Sequence, residues 1–398
     1  MNREGFSARI RQVRLSPTQK VAQEAEALKA QGIDIINLGP GEPDFDTPPH
    51  IKEAARAALD DNFTKYTANA GIVELREAIC QRYSQDYGFT SNVKNVIVSA
   101  GGKQALFNVA MAVLNPGDQV IVHAPGWPTI VDQIRLVGAE PVVVRTHPED
   151  GFKVGSTQII EALTPRTRMI VINSPGNPTG GLISEEDLRQ IAVNVESRNI
   201  WVTLDLCYER LVYDDKRHNL PAVLQEVLPT RCVLVGSLSK TYAMTGWRCG
   251  WAIGPKELID ACSNIQSQCT SNASSISQRA GAVALTGSQD CVREMRDEYL
   301  VRRDWLIEWL EKQPRISCVV PGGAFYVFPD ISQLLSPETL RTSQEFATVL
   351  LQDGHLAVTP GEAFDAPGFL RISYAASLDH LREGMERFSG FVAELEDG

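Results

Sequence analysis

The chain has 398 residues, which predicts two or three domains, since one domain usually takes about 100 to 200 residues. Its 43% hydrophobic and 22% charged residues are typical of a folded globular protein and exclude disordered and fibrous classes. The net charge of −11 argues against nonspecific binding to nucleic acid, because contacts with phosphate need clustered Lys and Arg.

The eight cysteines stand singly, without a Cys-x-x-Cys pair or a nearby histidine, at positions 80, 207, 232, 249, 262, 269, 291 and 318. This pattern favours free thiols in a reducing compartment and gives no support to a metal site. The N-terminus lacks the apolar core of a signal peptide, and no segment reaches the ~18 apolar residues of a membrane span. We therefore expect a cytoplasmic protein that binds neither membranes nor nucleic acid.

The N-terminal region predicts an arm over residues 1–15 and a helix over residues 16–30. A short strand over residues 35–38 then breaks at residues 39–44, Gly-Pro-Gly-Glu-Pro-Asp. The glycines and prolines predict an extended loop, and because glycine has no Cβ, its backbone can approach another group closely.

Predicted helices over residues 48–59 and 73–83 precede a strand over residues 96–99, the sequence Gly-Gly-Lys-Gln at 101–104 and a helix over 105–114. A strand, a glycine pair and a helix start form a natural anion site, because unpaired N–H groups and the helix dipole point outward. The lysine is followed by glutamine, unlike in a P-loop, and no Gly-x-Gly-x-x-Gly connects a strand to a helix. Nucleotide binding therefore lacks its usual sequence support.

Strands and helices alternate in the middle of the chain. The predicted strands cover residues 119–123, 141–144, 168–173, 200–204 and 232–236, and the predicted helices cover 129–137, 157–163 and 185–195. Near-continuous runs of Val, Ile and Leu are typical of strands buried on both faces, so we expect an α/β fold with a mostly parallel sheet covered by helices.

The C-terminal region predicts a smaller α+β domain. A long helical region over residues 275–311, broken near Gly287, precedes strands over 317–320, 324–328, 356–359 and 369–374 and helices over 343–352 and 378–394. We expect a large α/β domain over residues 48–305 and a small domain formed by residues 1–47 and 306–398.

Polar and aromatic residues stand directly after four of the predicted strands. They are Trp127, Asn177, Asp205 with Tyr208, and Ser237 with Lys240. Ligands of parallel sheets bind at the carboxyl ends of strands, so these side chains mark a candidate ligand site.

These residue types fit pyridoxal phosphate (PLP). A lysine amine can condense with an aldehyde, and a pyridine-type electron sink needs a carboxylate at its ring nitrogen. Lys240 and Asp205 would meet these two needs. Each also has an ordinary alternative: Lys240 as a solvated lysine at a strand end, Asp205 as a helix cap, and Trp127 as a core residue.

Three motifs sharpen this interpretation: Asn177-Pro178-Thr179-Gly180, Asp205-x-x-Tyr208, and Ser237-x-Ser-Lys240 followed by Gly246-x-Arg248. In order and spacing they resemble the fold-type I PLP-dependent aminotransferases. The whole chain, from residues 39–45 to residues 369–374, resembles the bacterial aspartate aminotransferase branch of that family. The resemblance implies the PLP-dependent transferase fold, with a seven-stranded type of sheet, a PLP-binding large domain and a homodimer.

The resemblance also implies cofactor contacts. Lys240 would bind the cofactor covalently and move a proton as a neutral amine, which requires a lowered pKa. Asp205 would hold the ring-nitrogen proton, and Trp127 would stack on the ring. Asn177 and Tyr208 would donate hydrogen bonds to the cofactor O3′. The implied phosphate contacts are the backbone of Gly102 and Lys103, the side chains of Ser237 and Arg248, and Tyr66 from the other subunit.

For the substrate, the resemblance implies that Arg371 binds the α-carboxylate through two parallel hydrogen bonds, which a lysine would not reproduce. Gly41 would contact the same carboxylate through its backbone. Trp127 and Asn177, which contact the cofactor, would also line the substrate site. The loop that carries Gly41 would close over the bound substrate and exclude water.

The choice of amino donor rests on two further residues. Residues 268–275 carry no arginine, whereas animal-type aspartate aminotransferases use one there for the distal carboxylate. The branch that lacks it has Gly-Gly-Lys-Gln-Ala-Leu-Phe-Asn, as residues 101–108 do here, so the resemblance assigns the distal carboxylate to Lys103. Arg14 stands where members that accept prephenate carry a basic residue.

The expected reaction is PLP-dependent transamination between aspartate or glutamate and a 2-oxo acid such as 2-oxoglutarate. An aminotransferase for aromatic, prephenate or neutral substrates is the nearest alternative. A PLP-dependent lyase and a noncatalytic PLP-binding module are further alternatives on the same fold.

Overall fold

The computed structural model describes residues 5, 7, 10, 17–216, 218–336, 338 and 340–397. Its strands are β1 (Ile36–Asn37), β2 (Val96–Ser99), β3 (Gln119–Ala124), β4 (Glu140–Arg145), β5 (Thr167–Asn173), β6 (Trp201–Asp205), β7 (Cys232–Ser237), β8 (Gly250–Ile253), β9 (Tyr326–Val327), β10 (Leu356–Ala357), β11 (Thr359–Pro360) and β12 (Leu370–Ser373).

The central sheet has seven strands in the order β2-β8-β7-β6-β5-β3-β4. Strand β8 runs antiparallel to both of its neighbours, and the other neighbouring pairs are parallel. The mostly parallel sheet expected from the sequence is confirmed, with β8 as an antiparallel strand that the sequence patterns did not predict.

The α-helices are α1 (Pro17–Ala30), α2 (Pro49–Asp60), α3 (Val73–Tyr87), α4 (Gly102–Val113), α5 (Pro128–Leu136), α6 (Ser156–Glu161), α7 (Glu185–Val195), α8 (Leu220–Val227), α9 (Leu238–Thr241), α10 (Lys256–Cys269), α11 (Ser275–Thr286), α12 (Asp290–Glu311), α13 (Ser343–Gln352) and α14 (Leu378–Asp397). Within the described residues, none of them has the length and apolar character needed to cross a membrane.

Helices cover both faces of the central sheet. Successive side chains of a strand point to opposite faces, and along β2 Val96 and Val98 belong to one apolar core while Ile97 belongs to another. The first core includes residues of α3, α7, α8 and α11, and the second includes residues of α4 and α10. Both cores exclude water from the strands, which leaves the strand ends as the open edge of the sheet.

Two small sheets lie beside the central one. Strand β1 pairs in parallel with β10, and β11, β12 and β9 form an antiparallel sheet. Their core contains the fully buried rings of Phe325, Tyr326, Phe346 and Tyr374. This region has the expected α+β character. Helix α12 crosses residue 305, and the division of the chain into residues 48–305 and the remainder stays a prediction.

Several predicted elements were wrong or missing. Residues 317–320 form no strand, because only Ser317 pairs, in an isolated bridge with Asp330, and Val320 is 47% exposed. The strand expected over 324–328 contains only the two residues of β9. Helices α8 and α10 were not predicted. By contrast, the expected break near Gly287 separates α11 from α12.

Candidate active site

A cleft of about 430 Å³ lies at the carboxyl ends of β5, β6 and β7. Eleven of the thirteen predicted site residues line it: Gly41, Gly102, Lys103, Trp127, Asn177, Asp205, Tyr208, Ser237, Lys240, Arg248 and Arg371. Tyr66 is not among the residues that line the cleft and is 90% exposed. Arg14 lies outside the described residues.

Lys240 stands on α9, the short helix that directly follows β7. Ser237 begins this helix, where its hydroxyl accepts a hydrogen bond from the amide of Ser239 at 3.1 Å. The Lys240 amine donates to the backbone carbonyl of Gly41. Burial lowers the pKa of Lys240 to about 8, and the nearby cations Arg371 and Arg248 act in the same direction. The amine is therefore much easier to deprotonate than an ordinary lysine.

Asp205 is the last residue of β6 and is only 2% exposed. The amide of Cys207 donates to its Oδ1 at 3.2 Å, and the Cys207 thiol also bonds to the carboxylate. Burial raises the pKa of Asp205, while the Cys207 hydrogen bonds and the charge of Lys240 lower it. A buried carboxylate at the floor of a cleft is costly unless a positive group joins it.

Arg371 comes from β12 of the small antiparallel sheet and is 3% exposed. Its Nη1 donates to Asn177 Oδ1 at 3.0 Å and its Nη2 to the carbonyl of Gly39 at 2.5 Å. Among the described residues its Nε has no hydrogen-bond partner. A buried guanidinium held by neutral acceptors retains its charge for an anionic ligand.

A second cationic region lies at the start of α4. Gly101 has φ +87°, and a Cβ there would lie 2.6 Å from Nη2 of Arg248. Arg248 donates to the carbonyls of Thr245 at 2.9 Å and Ala100 at 3.2 Å. The first amides of a helix have no acceptor within the helix, so the start of α4 beside Arg248 suits a phosphate group.

Lys103 lies at the exposed edge of the same cleft. Its ammonium is 4.9 Å from the centre of the Trp127 ring, a distance at which a cation and an aromatic ring attract. Partial burial and the charge of Arg248 lower the pKa of Lys103. The cleft therefore has a deep cation, Arg371, and a shallow one, Lys103.

Comparison with known proteins places this cleft in a family. The model of the family described as "Aminotransferase class I and II" matches residues 33–388. The chain belongs to this family. The resemblance stated from the sequence motifs is confirmed, and this aminotransferase is a PLP-dependent enzyme that transaminates.

Relatives of this aminotransferase match it over nearly their whole length. A probable aspartate/prephenate aminotransferase from Aquifex aeolicus is 41% identical and aligns over 99% of this chain and 100% of its own. The solved structure of the aspartate aminotransferase from Rhizobium meliloti has a TM-score of 0.93 at 40% identity and covers 98% of both chains. That of Thermus thermophilus with maleate has a TM-score of 0.92 at 41% identity, covering 97% of this chain and 99% of its own.

The cleft of this aminotransferase has the groups that PLP needs. Asp205 is a buried carboxylate suited to a protonated ring nitrogen, and Lys240 is an amine with a lowered pKa suited to an aldehyde. The start of α4 with Arg248 is suited to the phosphate. The donor set therefore agrees with the cofactor of the family.

The cleft also contains residues that the strand-end argument missed: Gly39, Pro40, Glu42, Asn173, Cys207, Ser239, Thr245 and Tyr326. Asn173 connects two strand ends, because its Oδ1 accepts from the amide of Asn177 at 2.9 Å and its Nδ2 donates to the carbonyl of Asp205 at 3.2 Å. A signal was available for Asn173, a polar residue that ends an apolar strand. None was available for Tyr326, which comes from the small antiparallel sheet.

Proposed function

We propose that this aminotransferase uses aspartate or glutamate as amino donor and a 2-oxo acid such as 2-oxoglutarate as acceptor. The observation that carries the proposal is the pair of cations that the cleft presents besides Lys240 and Arg248, which are assigned to the cofactor: the buried Arg371 and Lys103 at the edge. Two cations suit a substrate with two carboxylates. Relatives named aspartate aminotransferase give further support.

PLP, when bound, supplies an aldehyde that reacts with amines and an electron sink for cleavage of the Cα–H bond. We assign its covalent attachment and the transfer of the Cα proton to Lys240. Asp205 would hold the proton at the ring nitrogen, and Trp127 would pack against the ring. Asn177 and Tyr208 donate to O3′, and the phosphate is assigned to Gly102, Lys103, Ser237 and Arg248.

Arg371 is assigned to the substrate α-carboxylate, and its unpartnered Nε supports this role. The backbone of Gly41 lies beside Lys240, whose amine donates to its carbonyl. A substrate carboxylate would compete with the Gly39 carbonyl for Arg371 and with the Gly41 carbonyl for Lys240. Rearrangement of this loop over the substrate would exclude water from the reacting atoms.

Prephenate is a second candidate substrate. It carries a carboxylate beside a 2-oxo group and a second carboxylate on its ring, so it presents the same pair of charges as a dicarboxylic substrate. Three relatives that match this chain over at least 98% of its length are named as aspartate/prephenate aminotransferases, one of them with the qualifier "probable". Arg14 is proposed to contribute to this use.

We also infer a homodimer in which Tyr66 completes the phosphate site of the neighbouring subunit. A tyrosine that is 90% exposed and outside its own cleft supports this arrangement. Sedimentation equilibrium would test it, and a monomer at micromolar concentration would contradict it. We propose a cytoplasmic location, which the eight free cysteines support.

The donor is tested by adding one amino acid at a time to the PLP-loaded enzyme without an acceptor. Aspartate should convert the absorption of the aldehyde form of the cofactor into that of the amine form. Alanine and phenylalanine at the same concentration serve as comparisons. Conversion by either of these, with no change on adding aspartate or glutamate, would contradict the assignment.

A further inference from the structure

Tyr326, on β9, is fully buried and lines the cleft. Its hydroxyl oxygen lies 2.9 Å from that of Tyr208. We propose that Tyr326 is a positioning residue that donates its proton to Tyr208 and thereby turns the Tyr208 O–H toward the cofactor. The inference rests on the proposed function, in which Tyr208 donates to the cofactor O3′.

The number of hydroxyl protons determines the direction of this hydrogen bond. A phenol hydroxyl has one proton to donate and can accept hydrogen bonds through its oxygen. At 2.9 Å the two hydroxyls share one hydrogen bond, and either of them can be the donor. If Tyr208 donated to Tyr326, it would have no proton left for O3′. Tyr208 can donate into the cleft only when Tyr326 donates to it.

The surroundings of Tyr326 favour the donor role. The guanidinium carbon of Arg371 lies 4.4 Å from the centre of its ring, and a nearby cation makes a phenol a better hydrogen-bond donor. Burial raises the pKa of Tyr326 and Arg371 opposes that rise. The hydroxyl also lies close to Gly41, where an added Cβ would be only 2.4 Å from it.

A hydrogen bond from Tyr326 to Tyr208 strengthens Tyr208 as a donor to O3′. When Tyr208 accepts a proton from Tyr326, its own O–H becomes more polarised, so its bond to an ionised O3′ becomes stronger. The same bond limits rotation of the Tyr208 hydroxyl. Loss of the Tyr326 hydroxyl should therefore weaken the contact with O3′ without removing any residue that touches the cofactor oxygen.

Tyr326→Phe separates this role from packing. The variant keeps the ring, and with it the stacking on Arg371 and the contact with Phe325, whose ring centre is 4.8 Å away. Tyr299→Phe is the matched control, because Tyr299 is buried in the same aromatic core and its hydroxyl has no partner among the described residues.

The measurement is the pH midpoint at which the absorption of the bound cofactor changes, taken without substrate. A donor to an ionised oxygen favours the deprotonated form, so a weakened donor raises the midpoint. We expect Tyr326→Phe to raise it by about half a pH unit to one unit, and Tyr299→Phe to leave it unchanged. In a Tyr208→Phe background, Tyr326→Phe should add nothing.

The inference is overturned if Tyr326→Phe leaves the midpoint in place while Tyr208→Phe moves it, or if the two effects add in the double variant. If Tyr208→Phe itself has no effect, the inference and the role of Tyr208 fail together. Because substrate is absent, neither result depends on whether aspartate is the donor. With Arg371 still stacked, the KM for the amino donor should stay within about twofold while kcat falls.

Discussion

At the scale of single residues, the two cations of the cleft differ in depth. Arg371 is 3% exposed, whereas Lys103 lies at the open edge beside Trp127. In the proposed assignment, Arg371 would meet the α-carboxylate that every amino acid has, and Lys103 would meet only a distal carboxylate. Lys103 should therefore decide between donors, and Arg371 should not.

Replacing Lys103 by serine tests this division. Lys103→Ser should raise the KM for aspartate about tenfold and change the KM for alanine or phenylalanine little, because only aspartate loses a charge-assisted contact. Steady-state kinetics with each donor give the comparison. Lys94→Ser removes another exposed lysine as a control. An equal rise for aspartate and alanine would remove Lys103 from donor selection.

If Lys240 is the point of cofactor attachment, as proposed, its pKa sets the pH dependence of that attachment. Only the neutral amine attacks an aldehyde, so the rate at which the apoenzyme captures PLP should rise tenfold per pH unit and level off near the pKa of about 8, not near 10.5. Borohydride reduction at timed intervals measures the captured fraction. A rate that continues to rise steeply above pH 9 would contradict the lowered pKa.

At the scale of elements, the start of α4 depends on Gly101, whose φ of 87° and ψ of 165° lie in a region that is essentially restricted to glycine. In Gly101→Ala the Cβ would lie 2.6 Å from Arg248 Nη2 as well as being strained at φ +87°. We expect the affinity of the apoenzyme for PLP to fall at least tenfold, because the arginine must move away from the helix start.

Gly117→Ala is the control for this change. Gly117 has the same φ of +87° but nothing within 4 Å of the added Cβ. Gly117→Ala should lower Tm through backbone strain at positive φ, as Gly101→Ala does, but it should leave the PLP affinity unchanged. If titration of both apoenzymes with PLP gave equal affinities, the proposed phosphate site would lose its main support.

The elements also show what a sequence can predict. Asn177, Asp205 and Lys240 lie at or just after the carboxyl ends of three adjacent parallel strands. The alternation of predicted strands and helices along the chain was therefore enough to place them at one edge of the sheet. Tyr326 contacts Tyr208 across 118 residues, and no local pattern encodes such a contact. Asn219, which precedes helix α8, makes no capping hydrogen bond with its side chain, and β8 has only four residues, so local signals were weak for both.

At the scale of the whole molecule, one apolar core joins residues from distant parts of the chain. Tyr208 and Tyr213, which follow β6, pack with Phe325 and Phe346 from the C-terminal region. The sequence predicted two regions of different character, but it gave no sign of a shared core. Because the two regions share this core, a charge buried near it can affect the stability of the entire fold.

Glu209, next to Tyr208, is a half-buried charge of this kind. It accepts a hydrogen bond from the Tyr83 hydroxyl at 3.1 Å, and the Tyr87 hydroxyl also bonds to the carboxylate. Burial raises the pKa of Glu209 from 4.5 to about 7, against the opposing charge of Arg210. The folded protein thus holds this proton to higher pH than the unfolded chain does.

The sign of the effect follows from proton binding. Between pH 4.5 and about 7 the folded state binds more protons at Glu209, so the free energy of unfolding falls as pH rises and the full cost is present above pH 7. Glu209→Gln should remove a cost of about 2 kcal/mol at pH 8 and raise Tm by a few degrees, with a much smaller gain at pH 5. Thermal unfolding of the apoenzyme at pH 5 and pH 8 measures this gain.

Glu77→Gln, an exposed change on α3, controls for surface charge. A gain that is equal at pH 5 and pH 8 would show that Glu209 is ionised in the folded protein throughout this range.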